Sequence, residues 1–528
     1  MRNTAAAAVL GALSLFAAAC GGTAGTESGG PAGGGTFTFA INSDPGALDP
    51  AMGVLSVTNT VLSFAYDTLV YNGPDGKILP GLAEKWDVKP DSVTFTLRKD
   101  VTCSDGSKLT PADVAANVNH IADPATKSPV YGVFIPIGMK AVADDAAGTV
   151  TLSTPKPFGF ILESTPQVFV VCGKGVKDRS VLAHATSGSG PYKLTEAVPS
   201  DHYTFEVRED YTWGPGGATT KESGQPAKIV LKVVPNEQTA ANLLISGGLN
   251  GAVVYGADRA RLEALPGMGK MVLAAGNGQF LYHQGDDRPA KDPAVRRALT
   301  QAVDLKELAG IASGGTGRPA TGLVLDPRPC QGDTVTGHVP AFDAAGAAAA
   351  LDAAGWKAGP DGVRAKDGKK LTLRLLYGTT RGAGVQAAVE YLAAAWKKAG
   401  ADVTLNGVID TKLSESLNVT QDYDVVWLPI GVTLPSQLVG FMSGPAAPKG
   451  GNFAHIANTR YEKLAAEAVL KPGAEGCKLW LEAEYALFEN ADLVPVVENT
   501  VLVAMKNAKF ELLAGQFSPT SIRMTEAG

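Results

Sequence analysis

Cysteine and histidine are scarce, with five and six among 528 residues. They form no CxxC pair and no Cys/His cluster at ligand spacing, which argues against a structural zinc site. The chain also lacks GxSxG, HExxH and GxxxxGK[ST] patterns, so no motif points to a nucleophilic hydrolase, a zinc protease or a phosphate-binding loop. The adjacent acids Asp144-Asp145 and Asp286-Asp287 fall in turn-like polar stretches and read as solvated loops, and Asp201-His202 has no nucleophile beside it. No catalytic role and no cofactor is expected. Basic excess is missing as well. Charged residues make up 19% and the formal net charge is -6, a balance that argues against nucleic acid as a partner. Beyond residue 19 no apolar run approaches the ~20 residues that a membrane-spanning helix needs.

What is present begins with a targeting signal. Arg2 supplies a positive start, and Ala5 to Ala19 is an apolar run too short to span a bilayer comfortably, so residues 1–19 read as a signal peptide. The small residues before Cys20 resemble a bacterial lipobox, although Ala17 stands where such motifs usually carry Leu. Lipidation of Cys20 is the expectation; the alternative is cleavage near Ala19 with Cys20 as a spare thiol. Residues 20–35 are Gly-rich and form a flexible tether of about 20 Å mean reach. The protein is expected on the outer face of the cell membrane, held by one lipid anchor. The remaining cysteines are Cys103, Cys172, Cys330 and Cys477, an even number that suggests two disulfides in an exported chain. Three pairings are possible, and bonds within each half of the chain are the most economical.

Residues 78–114 carry the densest pattern. Leu79-Pro80-Gly81-Leu82 reads as a helical turn ending near Trp86, and Val93, Phe95 and Leu97 alternate with polar residues as a half-buried strand. Ser104-Asp105-Gly106 is a turn, and Thr110-Pro111 opens a helix with Val114, Val118 and Ile121 on one face. This run resembles a signature of the family 5 extracellular solute-binding proteins, receptors of ABC importers for peptides and nickel. The resemblance rests on Pro80, Gly81, Leu82, Ala83, Glu84, Trp86, Phe95, Leu97, Arg98, Val101, Ser104, Asp105, Gly106, Leu109, Thr110, Asp113 and Val114. Further matches are the strand Thr36 to Ile41 with its Leu48-Asp49-Pro50 loop, Tyr66 to Val70, Ser187 to Tyr192, Tyr211 to Trp213, and the helix opened by Asp292-Pro293.

The resemblance implies an α/β periplasmic-binding-protein fold of type II, in the large two-lobed form with three subdomains (the cluster C type). Lobe I would comprise residues 36–80, 186–283 and 496–528. Residues 81–185 would form its appended subdomain and 284–495 lobe II, with two chain crossings as the hinge. Strands and helices alternate through the second half, as an α/β lobe requires. The implied function is capture of a peptide or other small solute by a monomeric receptor that delivers it to ABC permease subunits. A ligand sensor uncoupled from transport, or an extracytoplasmic hydrolase on the same fold, are the alternatives.

Ligand contacts are expected at Asn42, Ser43, Tyr66, Gln284, Trp427, Asn452 and Phe453, by resemblance to cleft positions of the family. Tyr66 and Trp427 could equally be core aromatics. His283 and His455 read as structural or loop residues, and no metal site is expected, although a receptor for a nickel complex is conceivable. Peptide receptors of the family usually carry an Asp after the Trp-bearing strand, where it pairs with the peptide ammonium. Here Leu428 to Pro435 contains no acid. A buried ammonium without a partner is strongly disfavoured, so an N-blocked peptide, a glycoside or a metal chelate is expected rather than a free-amine peptide.

Overall fold

The computed structural model describes residues 34–525, apart from 54, 74–75, 257, 327, 380–381 and 514. The signal segment 1–19, Cys20 and all but the last two residues of the tether lie outside the described residues.

Two long antiparallel strands, Gly269–Tyr282 and Leu493–Met505, organise the molecule. At 3.2–3.4 Å per residue each is about 45 Å long. One end of this ribbon continues through Gly251–Val254, Thr36–Ile41, Lys228–Val233, His202–Val207 and Tyr192–Val198. The other end continues through Val425–Trp427, Thr372–Gly378 and Asp402–Val408. One hydrogen-bonded sheet therefore serves two lobes. The ladder shifts register between Ala274 and Gly276 and again between Gly278 and Gln279, between the two halves of the sheet. Such bulges break the ladder locally and increase its twist. Gly276 has a φ of +112°, a conformation that a residue with a Cβ rarely adopts.

Each lobe has its own core. In the first, Phe37, Phe39, Phe64 and Phe205 pack with Phe510 and Phe517, so the C-terminal segment returns to close the N-terminal lobe. In the second, helix Ala383–Lys398 joins the parallel strands Thr372–Gly378 and Asp402–Val408 as a crossover. Its Trp396 packs with Leu299, Phe280 and Tyr282. Phe280 and Tyr282 thus pack in the second core, just past the register shifts at Gly276 and Gly278.

The appended subdomain is a four-stranded antiparallel sheet in the order Ala83–Lys89, Ser92–Leu97, Thr149–Ser153, Lys140–Asp144. Helix Pro111–Ala122 covers it, and its start has the expected chemistry. The Thr110 hydroxyl accepts from the Asp113 N–H, and the Asp113 carboxylate accepts from the Thr110 N–H. The helical turn expected at 79–86 is instead two strands, Ile78–Pro80 and Ala83–Lys89. Glu84, Lys85 and Asp87 are polar residues on an edge strand, which obscures its period of two.

Disulfides join Cys103 to Cys172 and Cys330 to Cys477, with Cα separations of 6.0 and 5.0 Å, so each lies within one half of the chain. The first staples the appended subdomain. The second fastens the 320–335 loop to the start of helix Cys477–Glu489. The glycines of the Ser187 to Tyr192 turn pack closely against the backbone of Ala65. A Cβ on Gly188 would lie 2.4 Å from the Ala65 carbonyl oxygen, and one on Gly190 would lie 2.4 Å from the Ala65 carbonyl carbon. Glycine is needed there so that the turn can lie against the end of the first helix.

Candidate ligand site

A cavity of about 190 Å³ lies between the lobes. Its first wall is the end of helix Ser56–Ala65 and the residues that follow. Ser56, Asn59 and Ser63 recur at helical spacing on that helix and turn a polar stripe to the cavity, while Val61, Leu62 and Phe64 are buried in the lobe I core. The appended subdomain contributes Phe134 and Gln167, and the C-terminal segment contributes Gln516 to Thr520. Lobe II reaches in with Gly431 and Thr433, on the loop that leaves strand Val425–Trp427. Gln167 Nε2 donates to Thr433 Oγ1 at 2.8 Å, a direct link across the cavity.

Away from the cavity the lobes touch again at Gly159. Its N–H donates to the Val469 carbonyl at 2.7 Å, and its own carbonyl accepts from the Gly473 N–H at 2.9 Å. The adjacent Phe160 is buried against Trp480. Any Cβ at Gly159 would lie 1.9 Å from the Lys471 carbonyl oxygen. The lobes are thus held closed by backbone contacts as well as by the Gln167 link.

Asp67 sits at the back of the cavity, 1% exposed. Its Oδ1 accepts from the hydroxyls of Tyr71 (2.7 Å) and Tyr211 (2.8 Å), and its Oδ2 from Ser189 Oγ (2.8 Å) and Trp213 Nε1 (3.0 Å). Burial, reinforced by the Asp67 carboxylate, pushes both phenols well above their ordinary range, so they remain donors. The Tyr211-Thr212-Trp213 motif therefore serves to hold this carboxylate.

Of the expected ligand residues, Tyr66 lines the cavity. It is also a core residue whose hydroxyl donates to the Leu48 carbonyl and accepts from the Ser187 N–H. Asn42 and Ser43 are exposed on the loop after the first strand and do not line the cavity. Trp427 is 1% exposed in the lobe II core, against the crossing strand. A Cβ at Gly278 would approach its Cζ2 to 3.1 Å. Gln284, Asn452 and Phe453 gather at the opposite end of the same strands. Tyr282 pairs with Val425 at the start of that short strand, whereas the cavity loop leaves its far end at Trp427. There the Gln284 N–H donates to the Ala454 carbonyl and its side chain to Asp492. Asn452 is buried and staples its own loop, donating to the Ile456 carbonyl and accepting from the Ile456 N–H. Of the expected residues, Tyr66 therefore lines this cavity, while Asn42, Ser43, Trp427, Gln284, Asn452 and Phe453 lie outside its lining. Phe134 and Thr433 lie in loops, Gln167 ends a one-turn 3-10 helix and Gln516 opens a two-residue strand, none of them within a motif; among the lining residues the Ser56/Asn59/Ser63 stripe carries a periodic signal.

His283 and His455 lie at that distal end too, with ring centroids 4.4 Å apart. The Gly285 N–H donates to His283 Nδ1 at 3.1 Å, which leaves Nε2–H of His283 to donate to Gln421 Oε1 at 2.9 Å. His455 Nε2 lies 2.9 Å from the same oxygen. Among the described residues no group of three or more His, Cys, Asp or Glu is placed to hold a metal ion. Burial pushes the His283 imidazole below its ordinary value. The unfolded chain therefore takes up a proton first as pH falls, and the folded state loses stability below about pH 6.5. The urea midpoint is expected to drop between pH 7.5 and 5.5, and His283→Asn to shrink that drop. An unchanged drop in the variant would remove His283 as its cause.

The model for the bacterial extracellular solute-binding proteins, family 5 middle region, matches residues 77–449. The chain belongs to that family. Family 5 proteins bind solutes rather than transform them, and this member has the type II periplasmic-binding-protein fold. Protein XP55 of Streptomyces lividans is 29% identical over 412 residues, covering 77% of this chain and 72% of that protein. The dipeptide-binding protein of Bacillus subtilis is 27% identical over 303 residues, about half of each chain, 53% and 54%. A substrate-binding protein of Microbacterium hydrocarbonoxydans, solved with 4-hydroxybenzoate hydrazide, superposes with a TM-score of 0.77 at 27% identity, over 93% of this family 5 chain and 100% of its own. Among the described residues of the family 5 chain, no helix is long and apolar enough to cross a membrane.

Proposed function

We propose that the protein is a lipid-anchored, monomeric receptor that captures a small solute between its lobes and delivers it to an ABC permease outside the cytoplasmic membrane. The observation that carries the reading is the inter-lobe cavity spanned by the Gln167 to Thr433 link, with two crossing strands behind it. A solute that touches both walls favours the closed form over the open one, because only differential affinity shifts such an equilibrium. Cys20 and the Gly-rich residues after it supply the anchor and the tether. The dipeptide-binding relative and the hydrazide-bound neighbour support a small organic solute.

The test is mass spectrometry of the protein purified from its own membrane, under native and denaturing conditions. A defined small molecule released on denaturation, which on re-addition raises the melting temperature and compacts the scattering envelope, is the expected result. An empty protein that no member of a broad solute panel stabilises overturns the reading.

A further inference from the structure

The geometry points to a solute that carries no charge where the cavity encloses it: a molecule of about one ring, bearing hydroxyl or amide groups. This rests on the receptor reading above and names the chemical class that the same cavity takes.

Among the described residues that line the cavity, Asp67 alone is ionisable at neutral pH; the rest are amides, hydroxyls, aromatics, prolines and a few small or apolar groups. Asp67 is not available to a ligand cation. Its two oxygens already accept from Tyr71, Tyr211, Ser189 and Trp213, which matches the roughly four lone-pair positions of a carboxylate. Those donors are neutral, so the carboxylate is satisfied without a counter-ion, and its 1% exposure leaves no face open. A ligand ammonium would enter with no acceptor of opposite charge, and a ligand carboxylate would meet no Lys, Arg or His among the described lining residues. Either ion would be stripped of water without compensation, which is strongly unfavourable.

What the cavity does offer is neutral hydrogen bonding. Among the described residues the side-chain amides of Asn59 and Gln516 have no partner, and an amide both donates and accepts. Phe134 adds an aromatic face. The volume of about 190 Å³ compares with the roughly 150 Å³ that encloses a benzene molecule, so one ring with small substituents fits. The loop Leu428 to Pro435, which lacks an acid, contributes Gly431 and Thr433 to the same wall, and neither is charged.

The test uses the intact protein in detergent and a shape-matched series: benzamide and 4-hydroxybenzamide, benzoate, benzylammonium, and the dipeptide Ala-Phe. A wider panel of uncharged glycosides and amides and of charged metabolites runs beside it, read by thermal shift and calorimetry. Uncharged members are expected to bind at least tenfold more tightly than charged members of equal size. Asn59→Asp is expected to reverse that order for the cation while the variant still folds, as its melting curve will show. Charged members that bind as tightly as their neutral counterparts overturn the inference and leave the receptor reading intact. No stabilisation by any member of either panel overturns the receptor reading, and this inference with it.

Discussion

Replacing Asp492 with Ala is expected to cost about 3–5 kcal/mol of stability, the range seen when one partner of a buried ion pair is removed. Asp492 and Arg296 are 0% and 2% exposed, with Nη2 to Oδ1 at 2.9 Å. Burial pushes the Asp492 carboxyl up and the Arg296 guanidinium down from their ordinary values, opposite in direction because each loses hydration of its charge. What holds both charged is the density of partners. Asp492 accepts from Gln284, Asn490 and Asn458 as well as from Arg296. Arg296 also donates to the carbonyls of Ala290, Lys291 and Asn490. Alanine would leave the guanidinium without its counter-ion and three amides without their acceptor. Urea unfolding of Asp492→Ala reads the loss directly. A change below about 1 kcal/mol would mean that water enters and solvates Arg296, contrary to the packing described.

The second large effect is expected at Gly159. A side chain there meets the Lys471 carbonyl, so Gly159→Val cannot keep the backbone contacts with Val469 and Gly473. Losing those two hydrogen bonds and part of the Phe160 burial against Trp480 amounts to about 2 kcal/mol, roughly a thirtyfold shift toward separated lobes. Small-angle scattering of the unliganded variant is expected to give a larger radius of gyration than the parent, with an unchanged circular dichroism spectrum. Superimposable scattering curves would show that this contact does not govern closure. The site lies on the appended subdomain and on lobe II, outside the solute cavity, so the effect separates closure from solute contact.

Sequence periodicity located most of the elements that local chemistry dictates. Helix Pro111–Ala122 announces itself through its capping box and apolar face, and strand Ser92–Leu97 through strict alternation. The crossing strand was legible only in its last residues, because Gly276 and Gly278 interrupt the apolar pattern where the ladder bulges. Those glycines are also what the lobe-to-lobe passage needs, so the signal fails at a functional feature. The strand Ala83–Lys89 was hidden for another reason. It is a largely exposed edge whose charged residues serve solubility rather than a core.

The candidate site was less legible than the fold. Gln284, where relatives tend to carry Asn, and Asn452, which resembles a family turn residue, use their amides to hold the distal loops of lobe II, Gln284 through Asp492 and Asn452 through Ile456. The cavity itself is built by Phe134, Gln167, Thr433 and Gln516, which stand far apart in the chain. Nothing local makes their convergence visible. Arg296 and Asp492 are likewise 196 positions apart and join only through tertiary packing.

The ribbon of two continuous strands gives the molecule a single mechanical coordinate. Both lobes are tied to it by backbone hydrogen bonds, so separation of the lobes must bend or twist the ribbon at its bulges and has little other freedom. A partner that grips one lobe on each side reads an angle, and the angle carries no record of what was enclosed. Residues such as Asn59 and Gln516, which take no part in the link between the lobes, can therefore change without altering the message that reaches the partner, and a lineage could exchange one solute for another while keeping the same docking surface.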